Sequence, residues 1–301
     1  MRGNQPGPGI ARRKAPDSII SMNNALSIDV EDYYMVSAFA SSVKFEDWHK
    51  YESRVEQNTY RILALLNEYG VRATFFILGW VAQRHKGLVR DIHAAGHEVA
   101  CHGYNHRLVY DMTQDEFRED VSRAKDILEG ITGEPVRGYR APSYSIIKRN
   151  LWALDVLIEK SFLYDSSIFP IRHDMCGIPD ACRFPHRVSR GCGEIIEVPP
   201  STFRFLGMNL PVAGGGYLRL YPAYLTGLAI KKINSREEKP AVVYFHPWEI
   251  DPGQPRLKGG LKSRFRHYVN LGSTLPKLRH FLGALRFLPL AELAARVQMH
   301  A

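Results

Sequence analysis

The chain has 301 residues, 45% of them apolar and 24% charged, which is enough to bury a sizeable core and excludes an intrinsically disordered chain. No window reaches the roughly 18 uninterrupted apolar residues of a membrane-spanning helix, and the N-terminus lacks an apolar signal stretch, so a soluble cytoplasmic protein is expected. The net charge of +9 lies at the ends: nine Lys/Arg against one acid, Glu292, from Gln254 to Ala301, and four against one from Met1 to Asp17.

A basic rim on a near-neutral body suits an anionic polymer or membrane headgroups at least as well as nucleic acid, and no nucleic-acid partner is expected. Cys101, Cys176, Cys182 and Cys192 have neither zinc-knuckle spacing nor the density of a disulfide scaffold, so reduced thiols are expected.

Residues 1–24 are polar and rich in Gly and Pro, and read as a disordered leader. Order is expected from Ala25-Leu-Ser-Ile-Asp-Val30, an apolar strand that breaks into carboxylates. Ile62, Leu63, Leu65, Leu66 and Tyr69 recur at helical spacing and stop at Gly70, before a strand over Val71 to Leu78. A second helix ends at Gly96, before the strand His97 to Cys101. A third opens at Thr113 with Glu116 completing a capping box, and ends near Gly130 and Gly133, before a strand over Val136 to Tyr139.

A helix near Leu151 to Lys160 and the runs Phe162 to Asp165 and Glu194 to Val198 follow. A helix around Ala223 to Ile233 then leads into the strand Ala241 to Phe245. Such alternation predicts an α/β fold with a parallel sheet and outer helices, open or closed as a barrel. Residues 251–301 break the pattern with Pro252-Gly-Gln-Pro255 and a Lys/Arg-rich segment. They end in amphipathic pieces around Leu275 to Leu285 and Leu290 to Val297, and read as an appendage packed on the main body. Gly214-Gly-Gly216 reads as a flexible loop and, without a following Lys-Ser/Thr, as no phosphate cradle.

Asp29, Glu31, Asp32, His102, His106, Arg140, Asp165 and His246 fall at or just past predicted strand C-termini, where β/α barrels gather catalytic groups. His102-Gly-Tyr-Asn-His106 spaces two imidazoles four apart. On a helical turn they would share a face, roughly 6 Å apart, and could share one divalent ion; an ordinary surface or core pair has the same spacing. Asp29-Val-Glu-Asp32 concentrates three carboxylates at an apolar strand end, which favours a cation or an acid–base task over solvated loop acids.

Two His and one carboxylate leave coordination positions open for water and a carbonyl oxygen, as on zinc, so hydrolysis is the simplest use. Asp29 could take the water's proton, Arg140 could keep Asp29 ionised, and His246 could protonate a leaving amine. Tyr144 and Trp248 are candidates for ring stacking on a substrate, or serve the core.

Ser27-Ile-Asp-Val-Glu-Asp32, His102-Gly-Tyr-Asn-His106, Arg140-Ala-Pro-Ser143 and Tyr244-Phe-His246, in this order, resemble the polysaccharide deacetylases of the NodB-homology fold, carbohydrate esterase family four, over about residues 25–250. Tyr164-Asp-Ser-Ser-Ile-Phe-Pro170, Ile178-Pro-Asp180, His246-Pro-Trp-Glu-Ile-Asp251 and Leu261-Lys-Ser-Arg-Phe-Arg-His-Tyr268 resemble the subgroup found with exosortase-linked exopolysaccharide loci.

The resemblance implies a distorted (β/α) barrel of about seven strands with a C-terminal appendage. It also implies a metal-dependent hydrolase, with zinc the expected ion, acting on N-acetylhexosamine units of a saccharide. By family position Asp29 is the base, Arg140 orients it, His246 is the general acid, and His102 and His106 are metal ligands, with the backbone near Ser143 facing the oxyanion. Most members have two adjacent Asp, whereas Val30 follows Asp29 here. Strand alternation favours Glu31 as the third ligand, and ligand length with a turn at the strand end favours Asp32, which is slightly preferred. Ser143-Tyr-Ser145 also departs from the family's usual residues after the Pro. The alternatives are an allantoinase-like opener of cyclic amides and an inactive saccharide-binding scaffold. The basic tail is the expected contact with membrane or anionic polymer.

Overall fold

The parallel strands are buried on both faces, which is why they read as unbroken apolar runs rather than alternating ones. In the computed structural model, which describes residues 22–299, β1 (Asn23–Val30), β2 (Thr74–Ile77), β3 (Glu98–Cys101), β4 (Gly138–Tyr139) and β5 (Tyr164–Asp165) pair in sequence order, all parallel. β6 (His186–Arg190) is the antiparallel edge strand on β7 (Gly193–Glu197), which itself pairs parallel with β5. β8 (Thr202–Phe205) and β9 (Met208–Pro211) form a separate hairpin. β10 (Val242–Phe245) lies on the other side of β1, and β11 (Arg286–Leu288) extends the sheet at the start of β1.

Seven parallel strands thus run β10-β1-β2-β3-β4-β5-β7. The two ends approach through the segment after β7, where Ser201 N–H donates to the Val242 carbonyl and Val242 N–H to Ser201 Oγ. The result is the irregular (β/α) barrel expected from the sequence. The leader expected over residues 1–24 lies outside the described residues up to residue 21, and β1 already begins at Asn23.

Helices α1 (Val55–Tyr69), α2 (Gly79–Arg84), α3 (Lys86–Ala94), α4 (Gln114–Thr132) and α5 (Trp152–Glu159) fill the connections along the first half of the sheet. α1 buries Ile62, Leu65 and Leu66 and ends where Gly70 turns left-handed at φ 63°. α4 carries the predicted capping box, Thr113 Oγ1 accepting from Glu116 N–H while Glu116 accepts from Thr113 N–H. Such a cap contributes about 1 kcal/mol.

α6 (Gly215–Leu220), α7 (Ala223–Arg236), α8 (Leu261–Tyr268), α9 (Thr274–Ala284) and α10 (Leu290–Met299) complete the chain. Ala25, Phe76, Ala100, Tyr164, Ile196 and Val242 form an inner apolar layer, which Leu290, Leu293 and Ala294 of α10 join. The first turn of α10 is held at the entry ends of two strands, where Leu290 N–H donates to Thr74 Oγ1 and Ala291 N–H to Glu98 Oε2. The opposite, C-terminal strand ends are left for chemistry.

Gly214-Gly-Gly216 corrects the flexible-loop expectation. Gly214 caps α6, bridges Tyr244, and approaches the Tyr244 ring so closely that a Cβ would overlap it.

Candidate active site

β1 delivers Asp29 from inside the strand, and the chain then turns sharply, Glu31 N–H donating to the Asp29 carbonyl at 3.0 Å. The turn breaks strand alternation and returns Glu31 over the barrel mouth. β3 ends at Cys101, and the next five residues form a loop, with Gly103 and His106 both left-handed, φ 74° and 57°. His102 and His106 are therefore brought together by a turn, not by the helical spacing that first suggested a pair. Their ring centroids are 5.6 Å apart.

Ligand atoms of Glu31, His102 and His106 lie within 4.8 Å of one another, the one such His/Cys/Asp/Glu group among the described residues, and all three side chains are buried. His102 Nδ1–H donates to the Arg140 carbonyl at 2.8 Å, which leaves Nε2 with its lone pair free. Burial pushes the His102 pKa down to about 4, so this imidazole is neutral near pH 7. Glu31 Oε2 lies 2.8 Å from His106 Nε2 and has no hydrogen-bond donor. Burial would raise the Glu31 pKa, but the surrounding imidazoles, His106 foremost, outweigh it and hold the carboxyl well below its usual range. An orphaned buried carboxylate oxygen beside two imidazoles is a donor set that fits a divalent metal ion.

Asp32 does not join them. Its Oδ2 accepts from Ser53 Oγ and from Arg54 and Val55 N–H, which fastens the start of α1. The slight preference for Asp32 as third ligand is thereby corrected in favour of Glu31: a carboxylate whose oxygen is committed to three donors is turned away from the imidazoles.

Arg140 is fully buried just past β4. Its Nη1 donates to Asp29 Oδ1 at 2.7 Å and to Ser27 Oγ, its Nη2 donates to Ser166 Oγ, and its guanidinium lies over the Phe76 ring. The other Asp29 oxygen is 3.8 Å from His246 Nε2. His246 Nδ1–H donates to Glu249 Oε1 at 2.6 Å, and Glu249 Oε2 accepts from Arg219 Nε at 2.6 Å. Burial disfavours the charged imidazole, yet the Glu249 hydrogen bond and the Glu31, Glu249 and Asp29 charges raise the His246 pKa to about 9. Asp29 is thus pinned on one side and a protonated imidazole faces it from the other. Asp29, Glu31, His102, His106 and His246 open into a cavity of about 230 Å³ that Ser143, Tyr144 and Trp248 also line.

Residues 41–156 match the polysaccharide deacetylase family, and residues 166–295 match a domain of unknown function, DUF3473. Over residues 41–156 the chain is similar to the polysaccharide deacetylases. A peptidoglycan-N-acetylglucosamine deacetylase of Bacillus cereus is 32% identical over 98 residues, 32% of this chain and 36% of that protein, so the chain spans about a third of the length of such curated relatives. A Mycobacterium smegmatis crystal structure described as a polysaccharide deacetylase shares the fold at TM-score 0.61 and 22% identity, over 96% of this chain and 94% of that one. PuuE allantoinase shares it at TM-score 0.58 and 17% identity, over 97% and 93%.

His102, His106 and Arg140 fall in the segment matched to that family, whereas Asp29 and Glu31 precede it and His246 follows it. Ser143 and Tyr144 are both left-handed. Ser143 Oγ bonds Ser37 Oγ at 2.8 Å, and the Tyr144 ring packs against Phe169 and Tyr244 while its edge lines the cavity. The Trp248 stacking expectation is corrected: His246 covers one stacking partner position at 5.1 Å and His267 another at 4.1 Å, both near-parallel, and the indole N–H donates to Glu31 Oε1. Trp248 holds the site's own side chains.

Glu249 and Arg219 are the residues that sequence reasoning missed. Glu249 sits three positions after His246, a spacing that could have flagged it. Arg219 carries no local signal, since it reaches Glu249 only through the fold.

Proposed function

We propose that the chain is a metal-dependent hydrolase that removes N-acetyl groups from N-acetylhexosamine units of a saccharide, in the assembly of an exopolysaccharide. The observation that carries this reading is the convergence of Glu31, His102 and His106 within 4.8 Å, beside an Arg140-bound Asp29 and opposite His246. The acid–base division supports amide hydrolysis, which must both activate water and protonate a nitrogen. The match of residues 41–156 to the polysaccharide deacetylases supports the saccharide class, and the match of residues 166–295 accompanies the motifs on which the exopolysaccharide role rests.

In this mechanism Glu31, His102 and His106 would hold the ion, which when bound would supply Lewis-acid polarisation and lower the pKa of water. Asp29 Oδ2 accepts the proton of the attacking water. Arg140 keeps Oδ1 engaged and so fixes which oxygen acts. His246, its Nδ1–H committed to Glu249, presents Nε2–H to the leaving amine and hands over that proton as the carbon–nitrogen bond breaks.

Acetate release from N-acetylglucosamine oligomers, assayed with and without chelator and after metal restoration, tests the reading, with allantoin as competing substrate. Chelator-sensitive release from the oligomers is expected, and so is loss of bound metal in His102→Ala/His106→Ala. Turnover of allantoin alone, or full activity without metal, would overturn it.

A further inference from the structure

Two elements anchored to the segment that rims the cavity hold large apolar side chains out to solvent. In the β8–β9 hairpin, Phe205 and Met208 pair across the two-residue turn Leu206-Gly207, and Phe205, Leu206 and Met208 are 51%, 81% and 59% exposed. Both turn residues have positive φ, 46° and 78°, the mirror-image turn that Asn-Gly forms with least strain. A β-carbon-bearing leucine is disfavoured there, and its exposed side chain gains no burial to offset the strain. In α8, Leu261 and Phe265 lie one helical turn apart and are 84% and 61% exposed.

One segment ties both elements to the cavity rim. His173, Met175 and Cys176 line the cavity, and so do Arg266 and His267 of α8. Asn209 of the hairpin donates to the carbonyls of Pro170 and Pro179, and Lys262 of α8 pairs with Asp174 at 2.9 Å. The charge around them is predominantly basic: residues 252–291 contain eight Lys/Arg and no carboxylate, and Asp174 offsets Lys262 and Arg266 only in part, with Lys258 and Arg264 exposed beside Leu261 and Phe265 and Arg204 exposed beside Phe205.

We infer that this rim docks on a bilayer containing anionic phospholipid, with Leu206, Leu261 and Phe265 entering the interface and the flanking Lys and Arg meeting headgroup phosphates. Apolar projections separated by basic residues match an interfacial surface, in which hydrophobic insertion and headgroup attraction act together. The cavity mouth then faces the membrane plane. Docking does not rest on the proposed reaction: a chain inactive on every saccharide would still bind.

Flotation of the full chain with vesicles of equal parts phosphatidylglycerol and phosphatidylcholine, and with phosphatidylcholine alone, tests the inference. Binding to the anionic vesicles is expected, weakened by high salt and about tenfold or more weaker in Leu206→Asn/Phe265→Ser. Leu206→Asn alone relieves turn strain, so its melting temperature should hold or rise while its vesicle affinity falls, which separates docking from stability. Equal affinity for both vesicle types, no binding, or unchanged binding of the double variant would overturn the inference. So would a dimer in gel filtration that these substitutions dissolve, because the face would then belong to a second copy.

Discussion

The indole N–H of Trp248 donates to Glu31 Oε1 at 3.1 Å, so the residue two positions after the proposed acid orients a proposed metal ligand from the first strand. A hydrogen bond of this kind fixes the ligand's geometry and basicity. Trp248→Phe retains a ring between His246 and His267 but removes the donor. It should lower metal affinity by about 10–100-fold, read by titration calorimetry, with the circular dichroism spectrum unchanged.

Asp29→Asn separates catalysis from metal binding. Asn can still accept from Arg140 Nη1 but takes no proton from water, so metal content should match the parent while kcat falls by about two to four orders of magnitude. Elemental analysis beside acetate-release kinetics reads both quantities. Equal kcat would remove Asp29 from the base role.

The parallel strands were legible because burial on both faces leaves apolar runs, as in Ala241-Val-Val-Tyr-Phe245 and Phe75-Phe-Ile-Leu78. The β8–β9 hairpin was not, since Phe205, Leu206 and Met208 are apolar yet exposed, and an apolar count reads them as core. Residue types named the His102/His106 pair, but their geometry comes from a left-handed loop that spacing does not encode. The choice between Glu31 and Asp32 turned on a tight turn at the end of β1. Period-two alternation favoured Glu31 even though the chain had already left the strand. Arg219 is recognisable only once the fold sets it against Glu249, thirty positions away.

Gly214→Ala tests whether the triple glycine shapes the cavity. The added Cβ would overlap the Tyr244 ring, which packs on Tyr144 and beside His246, whereas at Gly216 the nearest atom is 3.8 Å away. Gly214→Ala should cost about 1–3 kcal/mol in denaturant unfolding and lower kcat/KM through the displaced tyrosine. Gly216→Ala should change neither by a comparable amount.

Asp165 and Glu197 are register partners at the ends of β5 and β7, both fully buried, and Asp165 Oδ2 and Glu197 Oε2 each lack a donor. Burial raises the Asp165 pKa to about 6. It raises that of Glu197 well above the usual range, and the Asp165 charge pushes it further. One proton shared between the two orphaned oxygens satisfies both, so the folded state binds protons that the unfolded chain, with carboxyl pKa values of about 4, releases earlier. The pair's stabilisation is therefore complete below about pH 4 and is lost as pH rises through 6 and beyond. Glu197→Gln supplies a permanent amide donor toward Asp165 and can still accept from Ile168 N–H. Its melting temperature should exceed the parent's by about 2–4 °C at pH 8, the shift that about 1 kcal/mol produces, and the gap should close toward pH 5. A gap that widened on acidification would mean that the two carboxylates are held ionised by something other than each other.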